Sequence, residues 1–358
     1  MNLNDRVIHF RSDGLGLSPE EYARLLAKLA EDDRIAADEF SLGGTVERLE
    51  NEMAELLGKE VAVFMPSGTL ANHLATRLLA RRGRRVLVQR QSHLYCDTGD
   101  CVPELSGITL VPLAPDKTSF TLEDVASEIA REGEGRVRTP IGAISIESPV
   151  RRRHGEVFDF GEIQHITSFA RERGIGLHLD GARLFLAVPY TGIAPAAYAA
   201  PFDTVYVSLY KYFNAAAGAI LAGPRQLLDG LYHQRRMFGG GLRQAWPYAA
   251  VASHYLEGFG ERFAEAAAMA EELFRALAEY PQLEIRRTPA STNVTRLRIR
   301  SAEAAALPQH LARRGISIRP PLSVSADGAE FELIVNETIR HHPIGQTITD
   351  FSDAIRGG

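Results

Sequence analysis

The chain has 358 residues, a formal net charge of -5 and a hydrophobic share of 45%. That length and core allow two domains, or one large α/β domain with an appendage, and the charge gives no reason to expect nucleic acid or an anionic membrane as partner. Two cysteines, Cys96 and Cys101, exclude a disulfide scaffold, and no 18-residue apolar run or signal-peptide pattern occurs, so a soluble cytoplasmic protein is expected.

In chain order, Arg11-Ser12-Asp13-Gly14-Leu15-Gly16 is a polar arm. It lacks the third glycine and the preceding strand of a dinucleotide fingerprint. Ser18-Pro19-Glu20-Glu21 is a capping box that opens a helix with Tyr22, Leu25, Leu26 and Leu29 on one face. After the loop Ser41-Leu42-Gly43-Gly44, Thr45 is expected to cap a second helix. Its inward residues are Val46, Leu49, Met53, Leu56 and Leu57, and Gly58 ends it.

Strands and helices then alternate. Strands are expected at Val61–Met65, Arg85–Gln89, 108–113, Ile141–Glu147, Gly176–Asp180, 204–210 and 217–222. Helices are expected after Ser67-Gly68-Thr69, with Leu70, Leu74 and Leu78 inward and Gly83 as the stop, and at 121–131 and 159–173. In the last of these Phe160, Ile163, Ile166 and Phe169 face inward. The pairs Arg81-Arg82 and Arg84-Arg85 are expected as solvated helix ends. The alternation predicts an α/β fold with a mostly parallel sheet covered on both faces. Past Gly239-Gly240-Gly241 the composition changes. A long helical stretch at 247–279 is followed by strands at 283–287, 292–298, 316–319 and 330–335, with a helix at 302–314. The expected division is an N-terminal arm and large domain over 1–245, and a connecting helix with a small α+β domain over 246–358.

One stretch organises the rest. Residues 204–210 form an apolar, β-branched run, and Lys211 stands at its exit among small residues. Burial would depress the pKa of such a lysine and free its amine as a nucleophile; alone, it also reads as a surface lysine at a strand end. Asp180 ends the preceding strand, where a carboxylate faces the crevice in which ligands of open parallel sheets bind. A structural partner would explain it equally. Ser67-Gly68-Thr69 offers free N–H groups and a hydroxyl at a helix start, suited to a phosphate or simply to an N-cap. His93, just past a strand, could stack on an aromatic ring or move a proton. An aspartate and a lysine at successive strand ends suit an electron-sink cofactor held by a Schiff-base lysine.

With those residues in view the chain resembles the threonine aldolase branch of the fold-type-I pyridoxal-phosphate enzymes. The matching stretches are Arg11-Ser12-Asp13, Pro66-Ser67-Gly68-Thr69-Leu70-Ala71-Asn72, His93, Leu179-Asp180-Gly181-Ala182-Arg183, Ser208-Leu209-Tyr210-Lys211 and Gly239-Gly240-Gly241-Leu242-Arg243-Gln244. The resemblance implies a fold-type-I architecture, a seven-stranded large-domain sheet and a pyridoxal 5'-phosphate cofactor. It implies that Lys211 holds the cofactor, Asp180 pairs with its ring nitrogen and His93 stacks on the ring. Gly68 and Thr69 would bind the phosphate, and Arg243 would reach the phosphate of a neighbouring subunit in a homotetramer. Ser12 and Arg183 would contact the substrate carboxylate. No metal is assigned. The implied reaction splits a β-hydroxy-α-amino acid into glycine and an aldehyde; β-elimination, other chemistry at Cα, or cofactor binding without turnover are the alternatives.

Three departures from the family pattern bear on the substrate. The family's Glu-Asn-Thr-His-Asn-Gly segment reads here Glu147-Ser148-Pro149-Val150-Arg151-Arg152-Arg153-His154-Gly155-Glu156. His154 is either displaced into the histidine's role or a loop histidine, and Arg151, Arg152 and Arg153 either receive an acidic group or are solvated. The late carboxylate-binding arginine is expected at Glu332, with Arg319 or Arg340 as substitutes. Tyr210 stands where serine is frequent, so Ser208 is the hydroxyl left for the phosphate.

Overall fold

The computed structural model describes residues 7–80, 83–132 and 134–356. Arg81 and Arg82 lie outside the described residues. The chain divides into two units. Among the described residues, one holds 17–187 and 192–256; the other holds 188–191, 257–356 and the arm 7–16. The sequence reading had put the change at 245/246.

In the first unit, α1 (Pro19–Glu31) begins with the expected capping box: Ser18 Oγ accepts from the Glu21 N–H, and the Glu21 carboxylate accepts from the Ser18 N–H. Helix α2 (Gly44–Leu56) differs from expectation at its start. Gly43, not Thr45, is the N-cap, and the Thr45 hydroxyl accepts from the Ala36 N–H at 2.8 Å instead. Val46, Leu49, Met53 and Leu57 are buried, but Leu56 is exposed, because it falls on the opposite side of the last turn.

The seven strands of the large sheet are β2 (Val61–Met65), β3 (Arg85–Gln89), β4 (Thr109–Leu113), β5 (Ile141–Glu147), β6 (Gly176–Asp180), β7 (Thr204–Ser208) and β8 (Ala219–Gly223), with the two-residue β1 (Ile8–His9) preceding them in the other unit. Their spatial order is β2-β8-β7-β6-β5-β3-β4. The β4–β3–β5–β6–β7 pairs are parallel, and β8 runs antiparallel to both its neighbours. Every residue of β5, β7 and β8 is buried, as expected of strands covered on both faces. Strand β7 stops at Ser208, short of the expected 210, so Lys211 lies in the loop beyond it. Helix α3 (Gly68–Leu79) crosses this sheet with Ala71, Leu74, Ala75 and Leu78 buried.

The expected long helix over 247–279 is two helices, Trp246–Leu256 and Phe259–Leu277. Gly258 between them has φ 66°, a left-handed conformation that stops the first helix. In the second unit, β9 (Leu283–Arg286), β10 (Val294–Ile299), β12 (Ser323–Ser325) and β13 (Gly328–Ile334) form an antiparallel sheet in the order β12-β13-β10-β9, and β1 pairs in parallel with β11 (Ile316–Ser317). The expected helix over 302–314 is a 3-10 turn, Ala304–Ala306, followed by a short helix, Leu307–Ala312. A final helix, Ile344–Ile355, was not anticipated. Among the described residues no helix is long and apolar enough to cross a membrane.

Candidate active site

The carboxyl ends of β3, β5, β6 and β7 lie along one edge of the large sheet. Their last residues are Gln89, Glu147, Asp180 and Ser208, all polar and all buried. Burying polar groups is unfavourable unless they are hydrogen-bonded, so four in a row mark this edge as a built site.

Asp180 is 3% exposed. Its Oδ2 accepts from Asn72 Nδ2 at 2.6 Å, and its Oδ1 accepts from the Ala182 N–H at 3.1 Å. Glu147 sits directly across the β5–β6 pair from it. Burial, and then repulsion from Asp180, push the Glu147 carboxyl up to about 7. The pull in the other direction comes from the His93 N–H at 2.5 Å, the Arg151 N–H at 3.0 Å and the positive charge of Arg183. Glu147 thereby ties the start of helix α4 (His93–Cys96) to the start of the arginine loop. Gln89 fixes the Glu147 backbone from the other side: its amide donates to the Glu147 carbonyl at 2.7 Å and accepts from the Glu147 N–H at 2.9 Å.

Tyr206 joins the remaining parts. It is paired with Asp180 across the β6–β7 register, and its carbonyl accepts from the Gly181 N–H at 2.9 Å. The Lys211 Nζ lies 6.0 Å from the Tyr206 ring centre and 5.5 Å from that of Tyr210. The start of α3 packs on the same ring: a Cβ at Gly68 would overlap the Tyr206 hydroxyl. Ser67 caps α3 through the Leu70 N–H at 3.3 Å, and Thr69 is half-buried. Lys211, Asp180 and Gly68 therefore assemble around one tyrosine.

His93 is held from two sides. Its N–H donates to Glu147, and its Nδ1 lies 3.5 Å from Asp97 Oδ2. The other Asp97 oxygen takes Arg152 Nη1 at 2.9 Å, so the arginine loop and His93 share one carboxylate. His154 closes the 3-10 turn Arg151–Arg153 with a left-handed backbone, φ 55°. Arg183 is half-buried, three residues past Asp180. Arg243 is largely exposed, with Glu39 at 3.5 Å and the Phe40 ring centre at 5.4 Å. In the second unit, the Ser12 hydroxyl donates to the Gly14 carbonyl at 3.3 Å. There too Glu332, 5% exposed, is met by Arg319 at 3.3 Å, whereas Arg340 pairs with Glu265.

The sequence reading passed over Asn72, Glu147, His178 and Tyr206 as functional residues. Glu147 carried the same signal as Asp180, an acid closing an apolar strand. An open cleft of about 950 Å³ lies at the opposite, amino edge of the sheet, lined by residues including Arg77, Ser106, Arg138 and Gln234. It contains none of the predicted site residues.

A family model described as beta-eliminating lyase matches residues 9–300. The low-specificity L-threonine aldolase of Candida albicans is 33% identical over 216 residues, 60% of this chain and 57% of that protein's length. The low specificity L-threonine aldolase of Escherichia coli (strain K12) is 31% identical over 290 residues, 79% of this chain and 83% of that protein. A crystal structure from Listeria monocytogenes, assigned as an L-allo-threonine aldolase, superimposes with a TM-score of 0.82 at 29% identity and covers 99% of this chain and 97% of its own.

Proposed function

The chain belongs to the beta-eliminating lyase family, and from that premise we propose that it is a pyridoxal-phosphate-dependent aldolase. It cleaves a β-hydroxy-α-amino acid of the threonine or allo-threonine type to glycine and an aldehyde. The observation that carries the reading is the assembly of an amine, a buried carboxylate and a helix start around Tyr206. The donor set fits pyridoxal phosphate. Lys211 supplies the amine for its aldehyde, Asp180 the acid for its ring nitrogen, and the N–H groups of Gly68 and Thr69 with the α3 dipole the anion site for its phosphate. Ser208 is the nearby buried hydroxyl for the same phosphate.

When bound, the cofactor supplies an electron sink for the bond pair released at Cα. Asp180 keeps that ring nitrogen charged. His93, fixed by Glu147 and Asp97, would stack on the ring and keep water from one face. Arg183 orients the substrate carboxylate, which turns the Cα–Cβ bond toward the ring. A basic side chain, for which His93 and His154 are the candidates, takes the β-hydroxyl proton as the aldehyde forms, and a proton is returned to Cα to give glycine. The turn Arg151–Arg153 with His154, tied to Glu147 through the Arg151 N–H, is our candidate for contact with the substrate's side-chain end. We place Arg243 at the phosphate of a neighbouring subunit in a homotetramer, a role its exposed side chain supports. A reducing, cytoplasmic setting accords with the two free thiols, Cys96 and Cys101.

Incubation of the purified protein with threonine, allo-threonine and phenylserine, with the aldehyde trapped, tests the reading. Aldehyde and equimolar glycine are expected; no aldehyde from any of the three overturns it. The altered loop after Glu147 favours one second reading, β-elimination, which ammonia and a keto acid in place of glycine would identify.

A further inference from the structure

Behind Asp180 lies a line of polar side chains to which the proposed mechanism gives no task. Asn72, His178 and Thr204 are each 0% exposed. They come from three elements: Asn72 from the buried face of α3, His178 from β6 and Thr204 from β7, the last two paired in register. Asn72 Nδ2 lies 2.6 Å from Asp180 Oδ2, Asn72 Oδ1 lies 2.8 Å from His178 Nε2, and His178 Nδ1 lies 2.8 Å from Thr204 Oγ1.

With Asp180 ionised, donor and acceptor types set one direction for each bond in this line. A carboxylate only accepts, so the amide of Asn72 must present its nitrogen to Asp180 and its oxygen to His178. An amide oxygen only accepts, so His178 must carry its proton on Nε2. A neutral ring then has a lone pair at Nδ1, and the Thr204 hydroxyl donates to it. We propose that Thr204, His178 and Asn72 form a one-way donor chain that positions Asp180 and holds it as a carboxylate toward the cofactor ring. Reversing any member would put two acceptors or two donors face to face in a buried site.

The surroundings agree. Burial lowers the His178 pKa to about 4, against the attraction of Asp180 and a hydrogen bond with the Thr204 backbone, so the ring stays neutral. The neighbours contributed by the facing elements are uncharged: Asn72 from α3, Thr204 from β7, and Ser145 opposite His178 on β5. The charged group near His178 is Asp180 on its own strand, with Glu147 beyond it. Asp180 thus faces a repelling Glu147 on one side and the donor chain on the other.

This inference rests on the aldolase reading for its purpose, but its geometry can be tested without it. NMR of the full-length protein labelled with 15N-histidine should show a neutral His178 with the proton on Nε2 at pH 7. An Nδ1–H tautomer or a charged ring at that pH overturns the chain, whether or not cofactor is bound. In the holoenzyme, Asn72→Leu and His178→Leu should each lower kcat by about 10–100-fold, with KM changing much less. Both should shift the pH titration of the bound cofactor's absorbance. The pair together should lose no more than either alone, because one chain is cut either way. His178→Gln, whose amide can still donate to Asn72, should recover most of the loss. Additive losses, or a glutamine variant as impaired as the leucine one, would overturn the positioning role. If wild-type protein takes up no pyridoxal phosphate, the functional reading falls while the tautomer result still decides the chain.

Discussion

Two sheets in this molecule handle polar residues in opposite ways. At the carboxyl edge of the large sheet, Gln89, Glu147, Asp180 and Ser208 are buried, and Glu147 and Asp180 are neighbouring carboxyl groups that repel when both are ionised. On the four-stranded sheet of the second unit, charge is laid out on an accessible face. Arg286 meets Glu284 at 2.8 Å, Arg298 meets Asp327 at 2.9 Å and Arg296 meets Glu330 at 3.5 Å. Opposite charges in water stabilise little and can be rearranged freely. Like charges in a buried site are costly and persist only where the surrounding donors hold them. The first sheet has therefore given up stability for chemistry, and the second has not. This contrast orders the expected effects of substitution.

The largest effect belongs to Lys211. Lys211→Ala should lower kcat/KM by at least about 10³-fold, the scale on which covalent nucleophiles act, and remove the visible absorbance of the purified protein. A retained band would assign the attachment to another lysine. Next is Gly68→Ala. The added methyl would overlap the Tyr206 hydroxyl, so either α3 or the ring must move. Overpacking of this kind costs about 1–3 kcal/mol, and the displaced helix start should weaken binding of the cofactor phosphate as well. A variant with wild-type melting and wild-type cofactor affinity would show that Tyr206 does not fix the helix start.

Glu147→Gln separates the two sheets by pH. In the folded protein the Glu147 carboxyl titrates at about 7, against an ordinary value of 4.5. Between those values the folded state keeps a proton that the unfolded chain has lost, so this group makes stability fall as pH rises through the window. Glutamine cannot titrate, and its amide can accept only one of the two N–H donors that Glu147 satisfies. The variant should be less stable than wild type near pH 5, and the gap should close toward pH 8. Urea unfolding across that range would show two converging curves. Parallel curves would mean that Glu147 is not held protonated.

Much of the large sheet was legible because four of its strands, β3, β5, β6 and β7, are apolar runs ended by a polar residue. Arg85–Gln89, Ile141–Glu147 and Gly176–Asp180 were read to the residue. The same rule exposed Asp180 and would have exposed Glu147 had it been applied evenly. Asn72 was harder. A lone asparagine between Ala71, Leu74 and Ala75 gives no local sign of its partners, which lie on β6. The break at Gly258 was hidden by alanine- and glutamate-rich flanks that favour helix on both sides. The pairing of β1 with β11 joins Ile8 to Ile316, and two-residue strands that far apart leave no period to read.

The smallest effects should come from the charged ladder. Glu284 has its carboxyl lowered chiefly by the hydrogen bond from Arg286, and its side chain is partly exposed to solvent. Whatever it contributes is present above its ordinary value of 4.5 and lost on acidification, the reverse of the Glu147 trend. Added salt should screen that contribution while leaving the Glu147 curve in place. Glu284→Gln and Arg298→Ala should therefore keep the urea midpoint at pH 7 within error and leave kcat/KM unchanged. A clear loss of stability from either would mean that the ladder is shielded by something absent from a single chain, such as a neighbouring subunit. Unequal salt responses of Glu147→Gln and Glu284→Gln would then be the sharpest measure of how differently the two sheets treat the same side chain.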